Sequence, residues 1–195
     1  MVSGSVMSHT RRLFIALPFD EKARASLADT ARLIGSFAGR IKGVSPDTYH
    51  ITVKFLGGVD RDLADRVARE FGALDIGRGK IPYTVQGLGA FPSLSRASVL
   101  WAGVIAQGDG LVSLFRFIED FSAALGFARE TRAFRPHLTL GRVRGEGGAP
   151  GPLKEHFMSN RDRVFAESAF SRLVLYESEL RPEGPLYIEI SSKEL

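Results

Sequence analysis

The chain has 195 residues and a mass of 21.3 kDa, enough for one ordinary domain with a sizeable core. Hydrophobic residues make up 44% and charged residues 25%, with 21 glycines and 9 prolines, a balance that excludes wholesale disorder and collagen-like repetition. No cysteine occurs, so a disulfide framework, a thiolate metal site and a cysteine nucleophile are excluded. The formal net charge of +4 and the pI of 9.6 favour an anionic partner without marking a dedicated nucleic-acid coat. The longest apolar run near the start, Leu13 to Leu17, is too short for a membrane span or a signal-peptide core, and the expectation is a soluble, cytoplasmic monomer with no membrane partner. Residues 1–11 are small, polar and aperiodic and read as a flexible leader, with Met7 as an alternative start; residues 12–195 read as one folded unit.

The run RLFIALP from Arg12 ends in proline and reads as a buried strand. Asp20 then caps a helix whose apolar stripe is Leu27, Ala31, Ile34 and Phe37, with Gly39 as the stop. After a turn at Ser45-Pro46-Asp47, HITVKFLGG alternates. Strict period two sends Ile51, Val53 and Phe55 to one face and His50, Thr52 and Lys54 to the other. Asp60 caps a second helix with Leu63, Val67, Phe71 and Leu74 inward. IPYTVQGLGAF and ASVLWAGVI, joined through Pro92 and Ser93, read as an antiparallel pair. A third helix carries Leu111, Leu114, Phe115, Ile118, Phe121 and Leu125 and stops at Gly126. PHLTLGRV reads as a strand and GEGGAPG as a mobile, solvent-facing loop. SRLVLYESEL and PLYIEIS follow as strands separated by RPEG. Helices and strands mix without strict βαβ alternation, so the expected class is α+β with antiparallel sheet.

Two of the four histidines share one local context, His50-Ile51-Thr52-Val53 and His137-Leu138-Thr139-Leu140. With seven threonines in the chain, two such pairings by chance have a probability of order one per cent. On a strand each histidine and its threonine leave by one face while the aliphatic residues bury on the other, so each motif presents an imidazole beside a hydroxyl. Imidazole has the unperturbed pKa nearest neutrality, so one ring suits a general base and a second suits a general acid. The hydroxyls of Thr52 and Thr139 and the guanidinium of Arg142 suit the oxygens of a phosphoryl group. The set fits phosphodiester cleavage without a metal, above all of a strained 2′,3′-cyclic phosphate.

Beyond these motifs, the chain resembles the 2H phosphoesterase superfamily and, within it, the bacterial and archaeal RNA 2′,3′-cyclic phosphodiesterases, also called 2′-5′ RNA ligases. The resemblance rests on RLFIALP, HITVKFLGG, GAFPSLSRASVLWAGV, FRPHLTLGRV and LVLYESELRPEGPLY, in that order from about Arg12 to Ile190. It implies a single two-lobed domain over residues 12–195, with antiparallel sheets around a central cleft and one histidine strand from each lobe. It also implies that His50 is the acid protonating the 3′ leaving oxygen, that His137 is the base activating water, and that the product ends in a 2′-phosphate. Thr52, Thr139 and Arg142 match the family's phosphate-binding residues. Strict alternation from His137 places Arg142 on the opposite face, so that role requires a bulge, a strong twist or a strand end. The chain departs from the family's frequent tryptophan and leucine ahead of the first motif, having Val44 and Tyr49.

The substrates this implies are RNAs with 2′,3′-cyclic phosphate ends, tRNA fragments among them. Alternatives are a 2′-5′ ligase or phosphodiesterase acting on tRNA halves or small cyclic nucleotides, and a non-catalytic RNA- or nucleotide-binding module. Lys54 is a weaker phosphate candidate, Arg132 and Arg135 candidate RNA guides, and Phe134 a candidate stacking residue, each with a solvated or core role as the plainer reading. His9 and His156 read as incidental, and Glu177 with Glu179 as a solvated strand end. P-loop, dinucleotide, G-x-S-x-G and H-E-x-x-H patterns are absent, so neither a cofactor nor a catalytic metal is implied.

Overall fold

The computed structural model describes residues 10–181 and 184–195; the expected leader up to His9 and the centre of the expected RPEG turn lie outside the described residues. Two antiparallel sheets form the frame. The first, in the order β3-β1-β8-β9, is made of β1 (Arg11–Pro18), β3 (His50–Val59), β8 (Arg172–Arg181) and β9 (Gly184–Glu194). The second, in the order β2-β6-β5-β4-β7, is made of β2 (Ile41–Gly43), β4 (Ile81–Phe91), β5 (Val99–Ala106), β6 (His137–Val143) and β7 (Val164–Phe170). The sheets therefore do not divide the chain into halves. β2 leaves the N-terminal part to pair with β6, and the β8–β9 pair returns to lie beside β1.

Leu13 to Leu17 are all buried because β1 is an interior strand covered on both sides. Leu13, Ile15 and Leu17 enter the hydrophobic core, while Phe14 faces Tyr176 and Tyr187 on the opposite side. The strand thus has a core face and an aromatic face. Its first residue is Arg11, one earlier than the expected boundary, fixed by ion pairs to Glu177 at 2.7 Å and Asp65 at 3.3 Å.

Asp20 caps as expected, accepting from the Ala23 N–H at 2.9 Å. The single helix expected here is two, α1 (Glu21–Ser26) and α2 (Ala28–Gly35), because buried Leu27 takes φ −101° and ψ 7° and breaks the run. Asp60 caps α3 (Arg61–Gly72), which buries Ala64, Val67 and Phe71. α4 (Gly110–Ala124) follows β5 in the chain yet packs against β3. Phe121 of α4 meets Phe71 of α3 edge-on, with ring centroids 6.3 Å apart.

Three elements escaped the sequence reading, the short β2, α5 (Gly151–Ser159) and β7. α5 has only Leu153 and Phe157 to bury, too few to reveal a period. The GEGGAPG loop is also less open than expected: Gly148, Ala149 and Pro150 are buried, and the Ala149 N–H donates to the Leu94 carbonyl at 3.1 Å. Gly148 is held at φ +67°, where a Cβ would lie 2.3 Å from the Ser95 carbonyl oxygen, so the loop docks only with glycine there.

The alternation read along β3 fails after Thr52. Thr52 pairs with Ala16 and Lys54 with the adjacent Ile15, so Val53 is an extra residue in the ladder. This bulge turns both Val53 and Lys54 inward and Phe55 outward, reversing the expected directions of Lys54 and Phe55. Buried Lys54 donates to a Glu119 carboxylate oxygen at 2.9 Å and to the Ala128 carbonyl at 2.7 Å. The other Glu119 oxygen lies 2.8 Å from the ammonium, and the Glu130 N–H donates to Glu119 at 2.9 Å. One buried charge pair therefore ties β3, α4 and the segment leading to β6. Lys54→Met leaves Glu119 buried without its cation and is expected to cost about 3–5 kcal/mol in denaturant unfolding, most of it recovered in the Lys54→Met/Glu119→Leu double variant.

Candidate active site

β3 and β6 belong to different sheets and approach within 8 Å, Cα to Cα. The strands that carry the two H-x-T motifs are thus neighbours although their sheets are separate. In each motif Nδ1 of the ring lies against the carbonyl two residues back: His50 with Thr48 O at 2.7 Å and His137 with Arg135 O at 2.8 Å. A carbonyl only accepts, so Nδ1 carries the hydrogen in both rings and Nε2 is the atom left for chemistry. An aromatic ring braces each imidazole as well. Phe14 lies 5.1 Å from His50, and Phe91 meets His137 edge-on at 5.2 Å. Tyr187 of β9 also meets His50 edge-on at 5.3 Å and lies 5.0 Å from Phe14, so the three rings form one cluster.

The second motif repeats the bulge of the first at the same place. Trp101 pairs with Thr139 and the adjacent Leu100 with Gly141, which leaves Leu140 as the extra residue. Leu140 and Gly141 are both buried and Arg142 is exposed, so Arg142 returns to the face of His137 and Thr139 that simple alternation denied it. Its charge acts on the Tyr187 phenol, opposing the rise in pKa that burial imposes there. Arg142 of the second sheet thus lies near enough to Tyr187 of the first for its charge to be felt there, and Tyr187 touches His50.

Burial lowers the His50 pKa, and the bond from Nδ1 to the Thr48 carbonyl opposes that shift only in part. Tyr49, immediately before it, is buried with a hydroxyl that has no partner among the described residues, and burial pushes it up to about 12. The weaker candidates find structural partners. Lys54 is in the core pair described above, Phe134 stacks on Phe115 at 4.4 Å, and Arg132 pairs with Glu130 at 3.0 Å. Arg135 is exposed and contributes its carbonyl to His137. His156 bonds Thr30 at 3.0 Å, joining α5 to α2, which gives the ring a structural role in place of the incidental one expected. Glu177 and Glu179 pair with Arg11 and Arg181. Among the described residues no group of three His, Asp or Glu side chains is placed to hold a metal ion, and no helix is long and apolar enough to cross a membrane.

Phe14, Phe91, Trp101, Tyr187 and Phe55 belong to this face and were not singled out from sequence. Trp101 lies over Gly89, where a Cβ would come within 2.3 Å of the indole, so the second glycine of GLGAF was the signal that a large ring crosses the strand there.

Two antiparallel sheets, each carrying one H-x-T motif on strands that approach within 8 Å, match the pattern of a phosphoesterase of the two-histidine class. The chain belongs to the LigT-like phosphoesterase family, whose sequence model matches residues 17–101 and 105–187, one H-x-T motif in each stretch. It is 33% identical to the RNA 2′,3′-cyclic phosphodiesterase of Methanocaldococcus jannaschii, over 90% of this chain and 96% of that one. It is 30% identical to the Archaeoglobus fulgidus protein of the same name, over 92% of this chain and 97% of that one. The fold matches TT0787 of Thermus thermophilus with a TM-score of 0.73, 24% identity and coverage of 94% and 97%. It also matches E. coli LigT complexed with 3′-AMP, with a TM-score of 0.72, 21% identity and coverage of 95% and 98%.

The unfolded chain takes up a proton at His50 near the ordinary 6.5, whereas the folded ring resists it, so this contribution to stability is complete above that pH and is lost as pH falls through the lower folded value. His156, lowered mainly by burial, adds in the same sense. Thermal unfolding followed from pH 7 to pH 5 is therefore expected to show a smaller acid-side loss for His50→Asn than for the unaltered protein.

Proposed function

We propose that this protein hydrolyses RNA 2′,3′-cyclic phosphate ends to 2′-phosphates, with His50 and His137 as the acid and base. The observation that carries the reading is the pair of imidazoles from two sheets, each with Nδ1 committed to a carbonyl and Nε2 free for substrate. His137 Nε2 takes a proton from water as its oxygen attacks phosphorus. The bond from phosphorus to the 3′ oxygen breaks, and that oxygen takes the proton from His50 Nε2–H. One water is consumed and the product carries a 2′-phosphate and a 3′-hydroxyl. Thr52 and Thr139 donate hydrogen bonds to the non-bridging oxygens, and Arg142 offsets the charge that develops there. The family membership and the names of the archaeal relatives support RNA with cyclic phosphate ends as the substrate class; tRNA fragments, acted on by a monomer, are the finer proposal.

The acid role requires a protonated His50, while burial in the free protein disfavours that form. A bound phosphate anion reverses the balance, because an opposite charge within a few ångströms favours the imidazolium. The substrate thus helps to charge its own acid. In an NMR titration, inorganic phosphate is expected to raise the His50 pKa, and Arg142→Gln, by weakening phosphate binding, to diminish the rise at a fixed phosphate concentration.

His50→Ala and His137→Ala are each expected to reduce kcat about a hundredfold to ten-thousandfold, with folding retained by circular dichroism. The pH profile of kcat is expected to be bell-shaped, falling on the acid side as the base takes up a proton and on the alkaline side as the acid loses one. Undiminished turnover in the double variant would contradict the assignment.

A further inference from the structure

The edge strand β2 joins the second sheet through 3 residues only, and what it brings there is charge. Lys42 pairs directly with Arg142 across the β2–β6 ladder. Ile41 and Val143, the neighbouring pair, turn to the core, and a Cβ at Gly43 or at Gly141 would lie 3.4 Å from Ile34 of α2. α2 therefore covers one face of the ladder, and Lys42 and Arg142 leave by the other, both exposed. The ladder runs one pair further, since the Arg144 N–H donates to the Arg40 carbonyl at 2.7 Å. Exposed Arg144 thus follows Arg142 on the same side. Arg11, Arg132 and Arg172 each have a carboxylate partner, whereas among the described residues Lys42, Arg142 and Arg144 have none within 4.0 Å. Like charges set opposite each other in a ladder are destabilising, so the arrangement calls for an anion from outside the chain.

We propose that Lys42 and Arg144 hold the phosphodiesters on the 5′ side of the terminal nucleotide, which makes this ladder the track of the RNA chain leading to the site. This rests on the function proposed above and names what separates a nucleotide chain from a mononucleotide there. Arg142 serves the reacting phosphate, and the two cations border it. Opposed residues of an antiparallel pair lie about 5 Å apart, Cα to Cα, and two residues along a strand advance about 7 Å. These steps are comparable with the distance from one phosphate to the next in an extended nucleotide chain. An anionic backbone laid along the ladder offsets the repulsion between Lys42 and Arg142. β2 is the last strand of its sheet, so a polymer runs off over its open side without meeting a further strand. Contacts to phosphate alone carry no base preference.

The test compares the unaltered protein, the Lys42→Ala/Arg144→Ala variant and the charge-preserving Lys42→Arg/Arg144→Lys variant. The substrates are adenosine 2′,3′-cyclic monophosphate and a short RNA oligonucleotide ending in 2′,3′-cyclic phosphate. Loss of the phosphate contacts is expected to raise KM of the alanine variant on the oligonucleotide about tenfold at low salt, with KM on the mononucleotide unchanged. The slope of log KM against log salt on the oligonucleotide is expected to fall by about 0.7 for each contact removed, and the charge-preserving variant to keep the KM of the unaltered protein. An unchanged KM on the oligonucleotide, an equal rise on both substrates, or the same rise in the charge-preserving variant would overturn the proposal. Binding of an oligonucleotide ending in 2′-phosphate, followed by fluorescence anisotropy, separates it from the hydrolytic reading. If the unaltered protein cleaves neither substrate yet binds this oligonucleotide more tightly than the alanine variant does, the track stands and hydrolysis falls. Equal affinity in both would overturn the track whatever the turnover.

Discussion

The site depends on one irregularity used twice, an extra residue in the ladder immediately after each H-x-T threonine. A sheet of strict period two can present the histidine and threonine of a motif, but every later side chain of that face lies two positions on. The bulges at Val53 and Leu140 break that rule. They bury two consecutive residues and advance the next one to the cleft, so that Phe55 and Arg142 stand where alternation would have put Lys54 and Gly141. The chemical character of the cleft beyond the imidazoles and hydroxyls is set by this slip. On one side it gives a cation whose charge reaches Tyr187, and on the other an aromatic ring with Arg12 over it.

The same slip creates the buried charge that holds the site together. Lys54 turned inward would be costly alone, and Glu119, Ala128 and the Glu130 N–H complete its surroundings. The residues so gathered belong to β3, to α4 and to the approach to β6, so the pair fixes one histidine strand relative to the chain that enters the other. Each imidazole is then oriented locally through Nδ1. Long-range registry and local orientation come from different interactions, both independent of substrate.

The doubled motif was legible because its period-two alternation and its small chance probability are both properties of the sequence. So were the Asp20 and Asp60 caps, the β4–β5 pair and the stop at Gly126, each written in local turn and cap chemistry. The class, α+β with antiparallel sheets, followed from the order of those elements. The bulges were not legible. The run Ile51, Val53, Phe55 mimics an uninterrupted inward face, and what defeats it is pairing with Ala16 and Ile15 more than thirty residues earlier. Lys54 looked available for phosphate because its partner is 65 positions away. Only the family resemblance required Arg142 to face the cleft, and the geometry that allows it lies in the pairing of Leu100 and Trp101 with β6. α5 and β7 were lost for the opposite reason, having too few buried side chains to show a period.

The central claim is that two histidines from separate sheets act on one cyclic phosphodiester, expelling the 3′ oxygen. The most direct measurement is hydrolysis in EDTA of an RNA oligonucleotide ending in 2′,3′-cyclic phosphate, carried out in ¹⁸O-labelled water, with the terminal phosphate of the product identified by phosphorus NMR and mass spectrometry. A 2′-phosphate carrying one labelled oxygen, formed by the unaltered protein and by neither His50→Ala nor His137→Ala, is the expected result. A 3′-phosphate, or labelled product formed equally well by either variant, would contradict the account.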